Sequence, residues 1–184
     1  VKFDLKYQRL GDGHAFLSPS KYHWLAYDVE KLKRTYKNHR SAARGSELHD
    51  VAAKLIRLGV HMPRDKQAIN AYINDSIGYR MDTEIVLFHS PYCYGTCDSI
   101  AFDGEWLRIF DLKTGDSGGN MLQVMLYAAL FCLQYMVDPE TIKFDLRLYH
   151  GVDVDIANPE PEAVKRIMVR IVESVSILMK EDDL

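Results

Sequence analysis

The spacing of apolar residues changes character near residue 80. Before it, apolar positions recur every three or four residues, the period of a helix. After it come short segments in which apolar and polar residues alternate, the period of a strand. In LSPSKYHWLAYDVEKLKRTYKNH, Leu25, Val29 and Leu32 form an apolar stripe, with Ser18 as the expected N-cap and Pro19 at the first helical position. GSELHDVAAKLIRLG predicts a second helix, capped by Ser46, with Leu48, Ala52, Leu55 and Ile56 on its apolar face and Gly59 as its stop signal. A third helix is predicted over 65–77.

TEIVLFHS, YGTCDSIAF and EWLRIFDLKTG predict three strands, rich in β-branched and aromatic residues. Pro91-Tyr92 and Asp103-Gly104 separate them, and the second pair suits a hairpin turn. A helix is predicted near 120–137, a fourth strand with clean alternation over 142–151, and a last helix over 161–180 followed by an acidic tail. This order predicts an α/β fold in which a central mixed sheet of about four strands is flanked by helices. The 184 residues are expected to form a single domain, with an N-terminal helical portion (about 18–77) packed on the sheet.

Composition narrows the picture. Hydrophobic residues make up 47% and charged residues 27%, as in a globular chain, and the formal net charge is −3. Any nucleic-acid contact must therefore use a local basic patch. One candidate is the run 31–44, where Lys31, Lys33, Arg34, Lys37, Arg40 and Arg44 occur without an acid. That run also fits a solvated helix face. No apolar run reaches the ~18 residues of a membrane span, and VKFDLKYQRLGDG lacks the apolar core of a signal peptide. Three cysteines, Cys93, Cys97 and Cys132, cannot all pair with one another, so reduced thiols and a cytoplasmic location are expected.

The chemistry concentrates in IFDLKTG. Strand alternation puts Leu107, Ile109, Asp111 and Lys113 on one face, so an apolar face ends in two opposite charges. Asp98 lies on the preceding strand and can come beside Asp111 across the hairpin. Paired carboxylates repel unless a cation lies between them, and hard oxygen donors suit Mg²⁺ or Mn²⁺. The pattern also fits a buried charged pair, Asp111 with Lys113 or Asp98. On the following helix, Gln123 and Tyr127 are four apart and share a face. They could contact a nucleic-acid backbone or order the lysine, or be a surface Gln and a core Tyr. His49 on the second helix is a candidate ligand that would favour Mn²⁺. Glu84 is either a further ligand or a solvated strand end. His89, Cys93 and Cys97 repeat at four-residue spacing, a zinc-like pattern without a fourth ligand. No P-loop motif is present.

Together these residues resemble the RecB-like branch of the PD-(D/E)XK nuclease superfamily. The matching positions are Gly45 with His49, Gly95 with Asp98, Asp111 with Lys113, and Gln123 with Tyr127. The resemblance runs from about residue 18 to 149 and is nearest to stand-alone phage-type exonucleases. It implies a restriction-endonuclease-like core and a metal-dependent DNA exonuclease of phage DNA recombination, repair or replication, acting in the host cytoplasm. The alternatives are an endonuclease on the same fold and a catalytically silent DNA-binding module. It further implies that His49, Asp98, Asp111 and the Leu112 backbone carbonyl hold the metal. Asp98, Asp111 and Lys113 would be catalytic, and Gln123 and Tyr127 would meet DNA or the site lysine. DNA would be steered by the basic run, helped by Arg108. A single-strand-annealing or replication protein is a conceivable partner, as is a homo-oligomer. Several relatives carry an acid four residues after the histidine, where this chain has Ala53, so Glu84 is the expected substitute. Three cysteines do not suffice for a four-cysteine iron–sulfur cluster, and none is expected.

Overall fold

The computed structural model describes residues 16–17, 19–114 and 119–182. The chain divides into two compact units, Val1–Arg44 and Gly45–Leu184. In the first, a 3₁₀ segment, Pro19–Ala26, precedes the helix α1, Val29–Leu58. Phe16 packs edge-on against Tyr36, with ring centroids 5.1 Å apart. The proposed N-cap Ser18 lies outside the described residues.

Two helices were expected across α1, and the structure has one. Ser46 is not a cap: it sits inside the helix. An interior glycine costs a helix about 1 kcal/mol relative to alanine, too little for Gly45 to break one whose C-terminal end is fastened to a core. Ala52 and Ile56 supply that fastening, buried with α2 (Ala68–Gly78). Beyond Leu58 the helix stops where expected. The N–H of Gly59 donates to the carbonyl of Ile56 and that of Val60 to Leu55, a Schellman closure with Gly59 at φ +66°.

The second unit is α/β, built on a five-stranded mixed sheet in the order β1 (Asp82–Ser90), β2 (Cys93–Phe102), β3 (Trp106–Lys113), β4 (Lys143–His150), β5 (Asp153–Ala157). β3 and β4 are parallel, joined through helix α3 (Met121–Tyr135); the other pairs are antiparallel. The fifth strand, DVDIA, was not expected. It is short and mostly exposed, with polar–apolar alternation over only Asp153–Ile156, and it pairs with β4.

Alternation on β3 explains its composition. Leu107 and Ile109 join the cluster packed on α3 and on α4 (Pro161–Asp182), whereas Phe110 and Leu112 join the cluster of α1 and α2. Burial on both faces at ~1.5–3 kcal/mol per large side chain makes β3 the anchor of the sheet. The end of β3 is therefore a rigid place from which to present polar groups. No described helix is long and apolar enough to cross a membrane.

Candidate metal and phosphate site

The site forms where β2 leaves β3. Their ladder pairs Phe102 with Leu107 and runs to Ser99 with Phe110, then ends. The next step in that register would set Asp98 opposite Asp111. β3 itself stays paired with β4 as far as Lys113 and His150. A fork results, and it leaves the N–H of Leu112 without a strand acceptor. Asp98 supplies one: its Oδ2 accepts from Leu112 N–H at 2.8 Å.

His49, on α1, sets Nδ1 3.3 Å from Asp98 Oδ1. Hydrogen bonding to Asp98 raises the imidazole pKa against the opposing effect of burial. Glu84 joins them: among the described residues, His49, Glu84 and Asp98 can bring one ligand atom each to within 4.8 Å of one another. Burial, then the charge of Asp98, raise the Glu84 pKa above its ordinary value.

Glu84 reaches this position through an unusual backbone. It has φ +57° in the middle of β1, a left-handed conformation that a glutamate adopts at a cost of roughly 1–3 kcal/mol. The effect is visible on either side. Thr83 accepts a hydrogen bond from Arg57 of α1, while Ile85, two residues on, packs with the α3 cluster. Strand alternation would have put both on one face.

Asp111 is buried, 2% exposed. Its pKa is raised first by burial and then by Asp98, with Lys113 pulling the other way. Lys113 Nζ forms a salt bridge with Asp111 Oδ2 at 2.7 Å. It also donates to Gln123 Oε1, at 2.8 Å. The ammonium is thus held between one neutral and one anionic oxygen.

Two glycines permit this arrangement. A Cβ on Gly119 would stand 2.7 Å from Lys113 Cγ, so the loop can lie against the lysine stem only without a side chain. A Cβ on Gly95 would meet the Tyr127 ring at 3.2 Å. Tyr127 crosses Gly95 to donate its hydroxyl to the Thr96 carbonyl at 2.6 Å. Its hydroxyl is therefore a strut from α3 to β2. Gly119 was missed in the sequence because its role depends on a contact that no spacing reports.

Arg108 and the cysteines do not join the site. Arg108 pairs with Asp103 at 2.8 Å and lies over the Tyr79 ring, five residues up the strand from Lys113. Leu112 enters through its N–H. Cys97 is buried, and its Sγ–H donates to the Ser99 carbonyl, so the zinc-like spacing with His89 and Cys93 forms no cluster among the described residues. Lys31, Lys33, Arg34, Lys37 and Arg40 are exposed on α1, with Lys33 paired to Glu30; the side chain of Arg44 lies outside the described residues.

Two carboxylates, Glu84 and Asp98, and one imidazole, His49, form a donor set that would fit a divalent cation; Asp111 is buried beside Asp98 but outside that group. Hard oxygen donors with a single imidazole suit Mg²⁺ or, better, Mn²⁺. Comparisons with protein-family models, with curated proteins and with solved structures each find no match.

Proposed function

We propose that this chain is a metal-dependent deoxyribonuclease of the PD-(D/E)XK type, in its RecB-like branch. The observation that carries the reading is Asp111. Its carboxylate is buried beside Asp98, and burial and the Asp98 charge raise its pKa even though the Lys113 ammonium lies 2.7 Å away. A carboxylate that resists ionisation beside a lysine is a place where a cation would be stabilising. The restriction-endonuclease-like layout is supported by the mixed sheet and by the position of the carboxylates at the fork.

His49, Asp98 and Asp111, with Glu84, would hold the cation. When bound, Mg²⁺ or Mn²⁺ supplies a Lewis acid that activates water and neutralises phosphate charge. Lys113 would donate a hydrogen bond from its ammonium to a phosphate oxygen and stabilise the charge that develops there. Gln123 fixes the ammonium for that task. Tyr127 keeps α3 at a constant distance from β2, and hence Gln123 near Lys113. Asp98 does two jobs, with one oxygen toward His49 and the other closing the fork on Leu112.

Action from DNA ends, as in phage-type exonucleases, is the form of the activity that the motif resemblance favours. The test uses end-labelled linear DNA beside a closed circle, with Mn²⁺. The expected result is degraded linear DNA, an intact circle, and loss of cleavage by at least about a hundredfold in Asp111→Ala. Cleavage of the circle would convert the reading to an endonuclease. An unchanged rate in Asp111→Ala would overturn the site.

A further inference from the structure

The β1–β2 ribbon extends beyond the carboxylate site and carries an exposed aromatic pair that the proposed chemistry does not use. Phe88 and Tyr94 are cross-strand partners. Their ring centroids are 6.0 Å apart and their planes are tilted by 30°, so they stand side by side. Tyr94 is 63% exposed, Phe88 46%, and Val86 on the same strand 53%. Exposure of this kind, contiguous on one ribbon, marks a contact surface.

The pair is aligned with the site. On β2, Gly95 lies against Tyr127 and Cys97 is buried in the α3 cluster, so these two point toward α3. Tyr94 and Thr96 therefore point to the opposite face, the side from which His49 of α1 meets Asp98. Four residues at ~3.4 Å separate Tyr94 from Asp98, about 14 Å. That equals about four stacked nucleotides of one strand.

The ligand is read from what the ribbon offers. It does not offer a free backbone edge at this point, because Phe88 N–H already donates to Gln134 Oε1 of α3 at 2.8 Å. The same bond holds the ribbon where its register shifts, between Phe88 and Ser90. What remains is ring faces on a fixed support. Exposed rings in series accept unpaired bases, which a duplex keeps stacked inside.

We infer that Phe88 and Tyr94 form a stacking platform for the bases of single-stranded DNA, holding the strand whose backbone lies at the Asp98–Asp111 fork. This rests on the nuclease reading and adds to it a substrate class: unpaired strands or frayed ends rather than intact duplex.

The test measures binding apart from cleavage. The full chain carrying Asp111→Asn is titrated into fluorescein-labelled dT12 and, separately, a 12-base-pair duplex, at fixed salt. Adding Phe88→Ala and Tyr94→Ala should weaken dT12 binding roughly ten- to a hundredfold, since each stacked base is worth ~1–3 kcal/mol. Duplex binding should change by less than about twofold, and Phe88→Trp with Tyr94→Trp should restore dT12 binding. Unchanged dT12 affinity overturns the platform, as does an equal loss for the duplex or no binding of dT12 at all. So does self-association that the two alanines abolish, which would make the ribbon an interface between copies. Cleavage by the chain with its native Asp111 is scored separately. Cleavage with aromatic-independent binding defeats the platform alone, and aromatic-dependent binding without cleavage defeats the nuclease reading alone.

Discussion

Two polar clusters are built into the same sheet, and they treat charge in opposite ways. Around Arg147 on β4, almost every group is matched. The guanidinium makes a two-pronged contact with Asp145, with both bonds at 2.8 Å. It also reaches Asp75 at 3.0 Å and the Tyr79 hydroxyl at 3.2 Å, while Tyr149 donates to Asp75 at 2.7 Å. The Phe110 ring lies against the guanidinium. At the fork between β2 and β3, Glu84, Asp98 and Asp111 face His49 and Lys113. There the pKa values of Glu84 and Asp111 are raised rather than lowered. A buried network with its partners in place has nothing left to bind. A partly buried cluster with more acids than bases is less easily kept ionised, and a cation would relieve that cost.

The contrast is broken most sharply at Asp111. Asp111→Asn keeps the shape and removes the surplus charge. Metal-dependent cleavage should fall by at least about a hundredfold. The metal-free protein should gain stability of about 1 kcal/mol, read from urea unfolding in a chelator. A loss of stability would mean that the cluster is an ordinary structural ion pair.

Arg147→Met makes the opposite experiment on the matched cluster. It leaves Asp145 buried and Asp75 short of a partner, and should cost about 3–5 kcal/mol. Cleavage per folded molecule should stay near the wild-type rate. Calorimetry and an active-fraction assay separate the two effects.

A third test uses pH. Glu84, Asp111 and His49 all have folded-state pKa values above their ordinary 4.5, 3.8 and 6.5. Each group then holds its proton more tightly when folded. Its contribution is fully present below the unfolded pKa and is lost as pH rises through the folded one. The metal-free chain should therefore lose stability between about pH 5 and 8. Saturating Mn²⁺ should reverse the slope, because the ion displaces these protons. Equal slopes with and without Mn²⁺ in chemical denaturation would remove the ion from the site.

The smallest effect is expected at the strut. Tyr127→Phe removes the bond to the Thr96 carbonyl and should cost about 1 kcal/mol. Cleavage should fall modestly, by severalfold rather than by orders of magnitude, through a loosened Gln123. A loss as large as that of Asp111→Ala would instead place the Tyr127 hydroxyl on the substrate.

The sequence determined much of this by periodicity. Alternation in LRIFDLK put Asp111 and Lys113 in line with Leu107 and Ile109, and four-residue spacing put Gln123 and Tyr127 on one helix face. Those relations are local, and backbone geometry enforces them in any fold. The strand–strand–strand–helix–strand order was equally legible, which is why the α/β class was. Tertiary structure decided the rest. It made one helix of two because Ala52 and Ile56 anchor what Gly45 alone would not interrupt. It recruited DVDIA as a fifth strand because β4 had a free edge. It also turned Glu84 into the left-handed region, ended the β2–β3 ladder at Ser99 and Phe110, and buried Asp111 beside Asp98. Apart from the brief alternation in DVDIA, none of these has a period or a spacing. Each is set by which distant side chains share one desolvated volume, and only the packed fold specifies that volume.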